Sequence, residues 1–155
     1  MPDAVDPSLS DDRNDKASGR IDRSLTCFML LAKFLGVPAD AEQIIHDRGR
    51  GDEPFRLEDL ARIAKRIGLT ARVRQVSVPG FAMLPLPALA ETANGDAVIL
   101  LKVEDANLNP RYLIQRGDAE RPEIWSDAQA VEYLSGRVLL MTSREKMVGD
   151  ARPFD

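Results

Sequence analysis

The stretch "SLTCFMLLAKFLG", Ser24 to Gly36, limits the fold more than any other part of the chain. Leu25, Phe28, Leu31, Ala32 and Leu35 recur at helical spacing, while Cys27, Met29, Leu30 and Phe34 make most of the remaining surface apolar too. A helix apolar nearly all round belongs in the middle of a domain. Ser24 is expected as its N-cap and Gly36 as its C′ stop. The run is too short to cross a bilayer, which takes about 20 apolar residues. "AVILL" is core-sized as well, so the chain as given reads as soluble.

The remaining chain supplies the elements that would cover such a helix. "PADAEQIIHDR" opens with Asp40 three residues before Gln43, a capping-box spacing that predicts a short second helix. "FRLEDLARIAKRIG" places Leu57, Leu60, Ile63, Ala64 and Ile67 on one face, with Glu58 and Arg62 expected to pair across one turn. The period then changes to two. In "LTARVRQV", Leu69, Ala71 and Val73 alternate with Thr70, Arg72 and Arg74, which predicts a half-exposed strand. "SVPGFAMLPLP" has too many prolines for regular pairing. "AVILLKV" reads as a central strand buried on both faces. "RYLIQ", "EIW" and "RVLLMT" read as further strands. "SDAQAVEYL" is a late helix capped by Ser126 and Gln129. Helices first and an antiparallel meander after them give an α+β fold, a helical lobe packed on a sheet.

Composition narrows the chemistry. A single cysteine in 155 residues excludes an internal disulfide and fits a reducing compartment. One cysteine and one histidine cannot build a closed zinc site. The net charge of −4 argues against nucleic acid as a partner. Residues 1–18 carry Asp3, Asp6, Asp11, Asp12 and Asp15 against Arg13 and Lys16, with almost no large apolar residue, and read as a disordered acidic tail. His46 beside Asp47 reads as a solvated surface histidine, and Cys27 as a small core residue rather than a nucleophile.

The blocks, taken in order, resemble the bacteriocin-processing cysteine peptidases, family thirty-nine, which have a papain-like fold and sit at the N-terminus of ABC exporters. "DRSLTC", Asp22 to Cys27, lies over that family's D-C-G-x-x-C. "FRLEDLARIAKRIGLTARVRQV" resembles the second conserved block, and "LPLPALAETANGDAVILLKV" the strand pair carrying L-P-A-…-H-F-V-V-L. The resemblance implies a peptidase-like domain at 19–144. It aligns the nucleophile with Arg23, the general-base histidine with Ala97 and the residue orienting that histidine with Arg116. Cys27 falls on the second, non-catalytic cysteine. Residues 15–22 hold no glutamine to serve as oxyanion donor. Arginine stays protonated and is no nucleophile, and acyl transfer needs nucleophile, base and oxyanion donor together.

This pattern resembles the non-proteolytic domain of haemolysin-type exporters of type I secretion. That resemblance implies a position on the cytoplasmic face of the bacterial inner membrane. It also implies an unfolded secreted protein of the repeat-in-toxin class as partner, together with the exporter's own membrane and nucleotide-binding domains. ATP and magnesium would be used elsewhere in the full-length exporter, and no cofactor is expected in this chain. "MTSREKMVGDARPFD" resembles the linker to the first transmembrane helix, so residues 145–155 are expected to lead out of the domain. Two surfaces are expected to dock substrate: the apolar loop residues Phe81, Met83 and Leu84, and the basic strand face of Arg72 and Arg74. An active peptidase that removes double-glycine leaders, and a scaffold that contacts the nucleotide-binding domain, are the alternatives.

Overall fold

Strand "AVILLKVE" has an apolar residue at each of its first five positions, and the fold is organised around it. In the computed structural model, which describes residues 23–48 and 54–143, these residues form β3 (Ala97–Glu104). The chain runs α1 (Arg23–Phe34), α2 (Ala41–Arg48), α3 (Leu57–Arg66), β1 (Leu69–Gln75), a 3-10 helix (Val78–Met83) and β2 (Ala88–Thr92). After β3 come β4 (Arg111–Gln115), β5 (Glu123–Ser126), α4 (Asp127–Tyr133) and β6 (Leu134–Ser143). The six strands form one antiparallel sheet in the order β1-β6-β2-β3-β4-β5.

Alternation along the strands divides the core in two. Ala97 and Ile99 of β3, Leu89 of β2, and Leu139 and Met141 of β6 pack with α1, α2 and α3 on one face. Val98 and Leu100 of β3, Ala90, Val138, Tyr112, Ile114 and Trp125 pack under the 3-10 helix and α4 on the other. The first half of β3 is thus buried on both faces, as its apolar run predicts, and its second half opens to solvent from Leu101 onward. The proline-rich stretch forms the 3-10 helix and a connection in place of a strand. Pairing resumes at Ala88, once the prolines end.

Helix α1 lies across β2 and β3 and buries Leu25, Phe28 and Leu31. Each such side chain contributes about 1.5–3 kcal/mol of hydrophobic stabilisation. Gly36 takes φ +87 and ends the helix, the backbone conformation that the expected stop requires. Ser24 departs from expectation. It lies inside the first turn, and its Oγ accepts the buried Ala97 N–H at 2.9 Å. The hydroxyl that would have capped the helix instead fixes α1 to the start of β3.

The other ends follow their caps with two changes. Asp40 accepts the Glu42 and Gln43 N–H groups, but the Gln43 amide bonds Asp47 and does not return to complete the box. Arg62 pairs with Asp59 one turn back instead of with Glu58, and Glu58 reaches across to Arg137 on β6. Ser126 and Gln129 form the expected reciprocal cap of α4. The expected acidic tail and terminal linker lie outside the described residues.

Replacing Ser24 by Ala leaves the Ala97 N–H buried without an acceptor, which costs about 1–3 kcal/mol. Urea denaturation of Ser24→Ala should show that loss as a lower midpoint at unchanged slope; an unaltered midpoint would mean that the bond contributes nothing.

Candidate functional site

The start of α1 lies at a cavity of about 290 Å3. Arg23 of α1, Ala97 and Val98 of β3, and Arg116 and Gly117 after β4 line it, with Thr92, Asn94 and Asp96 from the β2–β3 turn and Trp125 and Tyr133 from the far side. The structure therefore brings Arg23, Ala97 and Arg116 together, though 93 residues separate the first from the last. The Ser24–Ala97 bond sets the first half of this convergence. The β4–β5 connection sets the second. Cys27 donates its S–H to the Gln115 carbonyl at 3.8 Å, and Gly117 lies against the Arg23 carbonyl, where a Cβ would stand 2.6 Å from the oxygen. Only glycine fits so close an approach.

A cation at a helix N-terminus opposes the macrodipole. Asp118 answers both charges: it stands beside that N-terminus and pairs with Arg23 at 3.8 Å. Both side chains are about half exposed, so the pair is worth well under 1 kcal/mol. Arg116 is held more closely. It bonds the Glu123 carboxylate at 3.2 and 3.3 Å, lies over the Trp125 ring at 5.5 Å, and Trp125 in turn donates its indole N–H to Glu123 at 2.7 Å. The Trp125 bond first, and Arg116 after it, hold the Glu123 carboxyl below its ordinary value. Tyr112 is buried on the same face of the sheet, and its burial, reinforced by the hydrogen bond it donates to Asp127, pushes its hydroxyl up to about 12.

No thiol or imidazole lines this cavity. Cys27 lies one turn further along α1, fully buried, and His46 lies exposed on α2. The two do not meet. Glu91 of β2 accepts from Ser135 and Arg137 on β6.

A second concavity flanks α1 further along. A groove of about 520 Å3 runs between α1 and the β4–β5 connection, walled by Leu30, Leu31 and Phe34 and floored by Ile99 and Leu101. Pro87, Gln115, Ala119 and Glu120 complete it. Leu30 is 44% and Phe34 65% exposed, which corrects the expectation of a helix buried all round. No described element covers that side, so the apolar surplus of α1 becomes a wall of the groove. The surplus itself was the signal: those residues exceed what one core-facing stripe requires.

The expected docking residues fare differently. Phe81 is 0% exposed and packs under the sheet with Val78, so it is a core residue and not a contact. Leu84 is half-buried against the same cluster, and Met83 alone stands out, at 86% exposure. The 3-10 helix turns one side inward, and that side carries Phe81. Arg72 and Arg74 are both exposed on β1, as their alternation predicts.

Comparison with known proteins bears out the family resemblance. The model of the peptidase C39 family matches residues 18–146. The alpha-hemolysin translocation ATP-binding protein HlyB of Escherichia coli O157:H7 is 29% identical over 133 residues, 85% of this chain and 18% of that protein. The leukotoxin translocation ATP-binding protein LktB of Mannheimia haemolytica is 28% identical over 136 residues, 88% of this chain and 19% of that protein. The chain thus spans less than a fifth of the length of these curated relatives. Among solved structures, the N-terminal peptidase C39-like domain of a toxin secretion ATP-binding protein from Vibrio parahaemolyticus superimposes with TM-score 0.68 at 19% identity, over 79% of this chain and 98% of that one. The peptidase domain of Streptococcus ComA gives TM-score 0.65 at 11% identity, over 79% of this chain and 93% of that one. These likenesses carry the expected α+β, papain-like fold.

Trp125 is the chain's only tryptophan, so its fluorescence reports on the cavity. A lowered carboxyl pKa contributes stability that is present above the ordinary value of 4.5 and lost as pH falls through the lower, folded value. Titrating the emission should therefore show a transition centred below 4.5 that Glu123→Gln removes. A midpoint at or above that value, or one indifferent to the substitution, would contradict the arrangement.

Proposed function

The chain belongs to the peptidase C39 family, and we propose that it is a non-proteolytic docking domain of a type I secretion ABC exporter, holding an unfolded secreted protein before translocation. The observation that carries the non-proteolytic half is Arg23 on the first turn of α1, in a cavity lined by no thiol and no imidazole. A thiol gains nucleophilicity at that point because the helix N-terminus lowers its pKa. A guanidinium there gains nothing. Cys27 cannot replace it, being fully buried and directed at the Gln115 carbonyl.

The docking half rests on the groove beside α1. Its walls are mostly apolar and its rim carries Gln115 and Glu120, a mixture suited to an extended polypeptide with intermittent apolar side chains. A relative of the same fold, a double-glycine motif protease from an AMS/PCAT transporter, was solved in complex with its leader peptide, over 76% of this chain at TM-score 0.65. The kinship with HlyB and LktB supports a secreted toxin-like protein as the cargo. Ordering an unfolded partner costs several kcal/mol of gross interaction energy, so the affinity is expected to be modest. ATP hydrolysis and the membrane passage would belong to the remainder of such an exporter. No described helix of this chain is long and apolar enough to cross a membrane.

Titration with the cognate secreted protein tests both halves. The unfolded protein should bind, its folded form should not, and Leu30→Asp with Phe34→Asp should weaken binding about tenfold or more, roughly 1.4 kcal/mol. The double variant should remain folded, with a lowered melting temperature, since neither side chain is fully buried. A double-glycine leader peptide should remain intact by mass spectrometry throughout. Undiminished binding by the double variant would remove the groove from the account, and cleavage would remove the non-proteolytic reading.

A further inference from the structure

We propose that the acidic segment preceding α1 docks in cis on the basic outer strand of the sheet, at Arg72 and Arg74. Strand β1 is the last strand on its side, paired only with β6 among the described strands. Between Arg72 and Gln75 its outer edge has no described strand beside it. Such an edge pairs readily with other chains unless charge or a covering segment prevents it. Arg72 and Arg74 stand on the face opposite α1, α2 and α3, beside Leu140 and Val138 of β6. Both are exposed, and neither forms an ion pair among the described residues, whereas Arg116 and Arg137 do.

The chain carries its own complement. Asp3, Asp6, Asp11, Asp12 and Asp15 outnumber Arg13 and Lys16 in residues 1–18, a net of −3. The register shows that this segment starts close enough to reach. Val98, Ala90, Val138 and Arg74 lie side by side across β3, β2, β6 and β1. Arg74 is therefore three strand spacings, about 14 Å, from Val98. Val98 follows Ala97, to which Ser24 is bonded. Eight residues lead from Asp15 to Arg23 and can span up to about 27 Å. Asp15 and the aspartates before it can thus pass the end of the sheet and meet both arginines. A tethered segment acts at an effective concentration of the order of millimolar, enough for weak charge pairing to hold. The docked segment would cover the open edge of β1. This inference does not depend on the groove or on the cargo.

The test uses the whole chain with Ser10→Cys carrying a nitroxide; Cys27 is fully buried and stays unlabelled. At low salt, the amide signals of Arg72 to Gln75 should be lost to paramagnetic broadening. They should return at about 0.5 M salt, where screening is strong, and in Arg72→Gln with Arg74→Gln, two exposed positions where the fold is not at stake. Signals retained at low salt would overturn the proposal. Broadening that persists in the double variant would overturn it too. Broadening that grows with protein concentration would place the contact between copies and overturn docking in cis.

Discussion

One hydrogen bond, from the Ala97 N–H to Ser24 Oγ, sets where the main helix meets the sheet. Everything at the candidate site follows from that placement. It puts the N-terminus of α1 at the first residue of β3, so Arg23 and Ala97 become neighbours. The β4–β5 connection then closes over the same turn, with Gly117 flush against the Arg23 carbonyl and the Gln115 carbonyl over Cys27. A side chain on Gly117, or a bulkier residue at Cys27, would push that connection away and open both concavities at once.

The two concavities on the flank of α1 differ in character because of what this clasp separates. At the N-terminal end the cavity is polar and its two arginines are paired: Arg23 with Asp118, Arg116 with Glu123 and the Trp125 ring. Further along, the groove is lined chiefly by aliphatic and aromatic side chains that no described element covers. A catalytic cleft would concentrate its chemistry at the first location. In this chain that location holds two paired arginines, with Asp96 and the unpartnered Thr92 hydroxyl beside them and no thiol or imidazole among the described lining residues, and the apolar surface is the second. Apolar burial in the groove supplies binding without requiring any group to react.

Much of this was legible in the residues. The double-sided strand "AVILLKVE" and the Ser126–Gln129 cap each have one physical solution, and the chain adopts it. Arg23, Ala97 and Arg116 were found by resemblance to a family. Nothing in their chemistry or spacing would have united them, because their meeting depends on strand register and on a glycine contact 94 residues from Arg23. Ser24 was misread as a cap because a hydroxyl at a helix start usually bonds its own backbone, and here the sheet offers a buried N–H instead. Phe81 was misread as a contact because a proline-rich segment resembles a surface loop, whereas a 3-10 turn has an inner side. The groove went unseen because Leu30 and Phe34 looked like core residues. Whether a core-type residue has a neighbour is a property of the packed domain, not of its spacing.

The central claim is that an unfolded polypeptide binds in the apolar groove and leaves the cavity at the helix start untouched. Amide chemical-shift mapping of the domain, titrated with the cognate secreted protein in its unfolded form, tests it most directly. The account predicts that the largest changes fall on Leu30, Leu31, Phe34, Leu101 and Ala119, with little at Arg23, Ala97, Arg116 and Gly117. Changes centred on the latter four, with the groove unaffected, would contradict it.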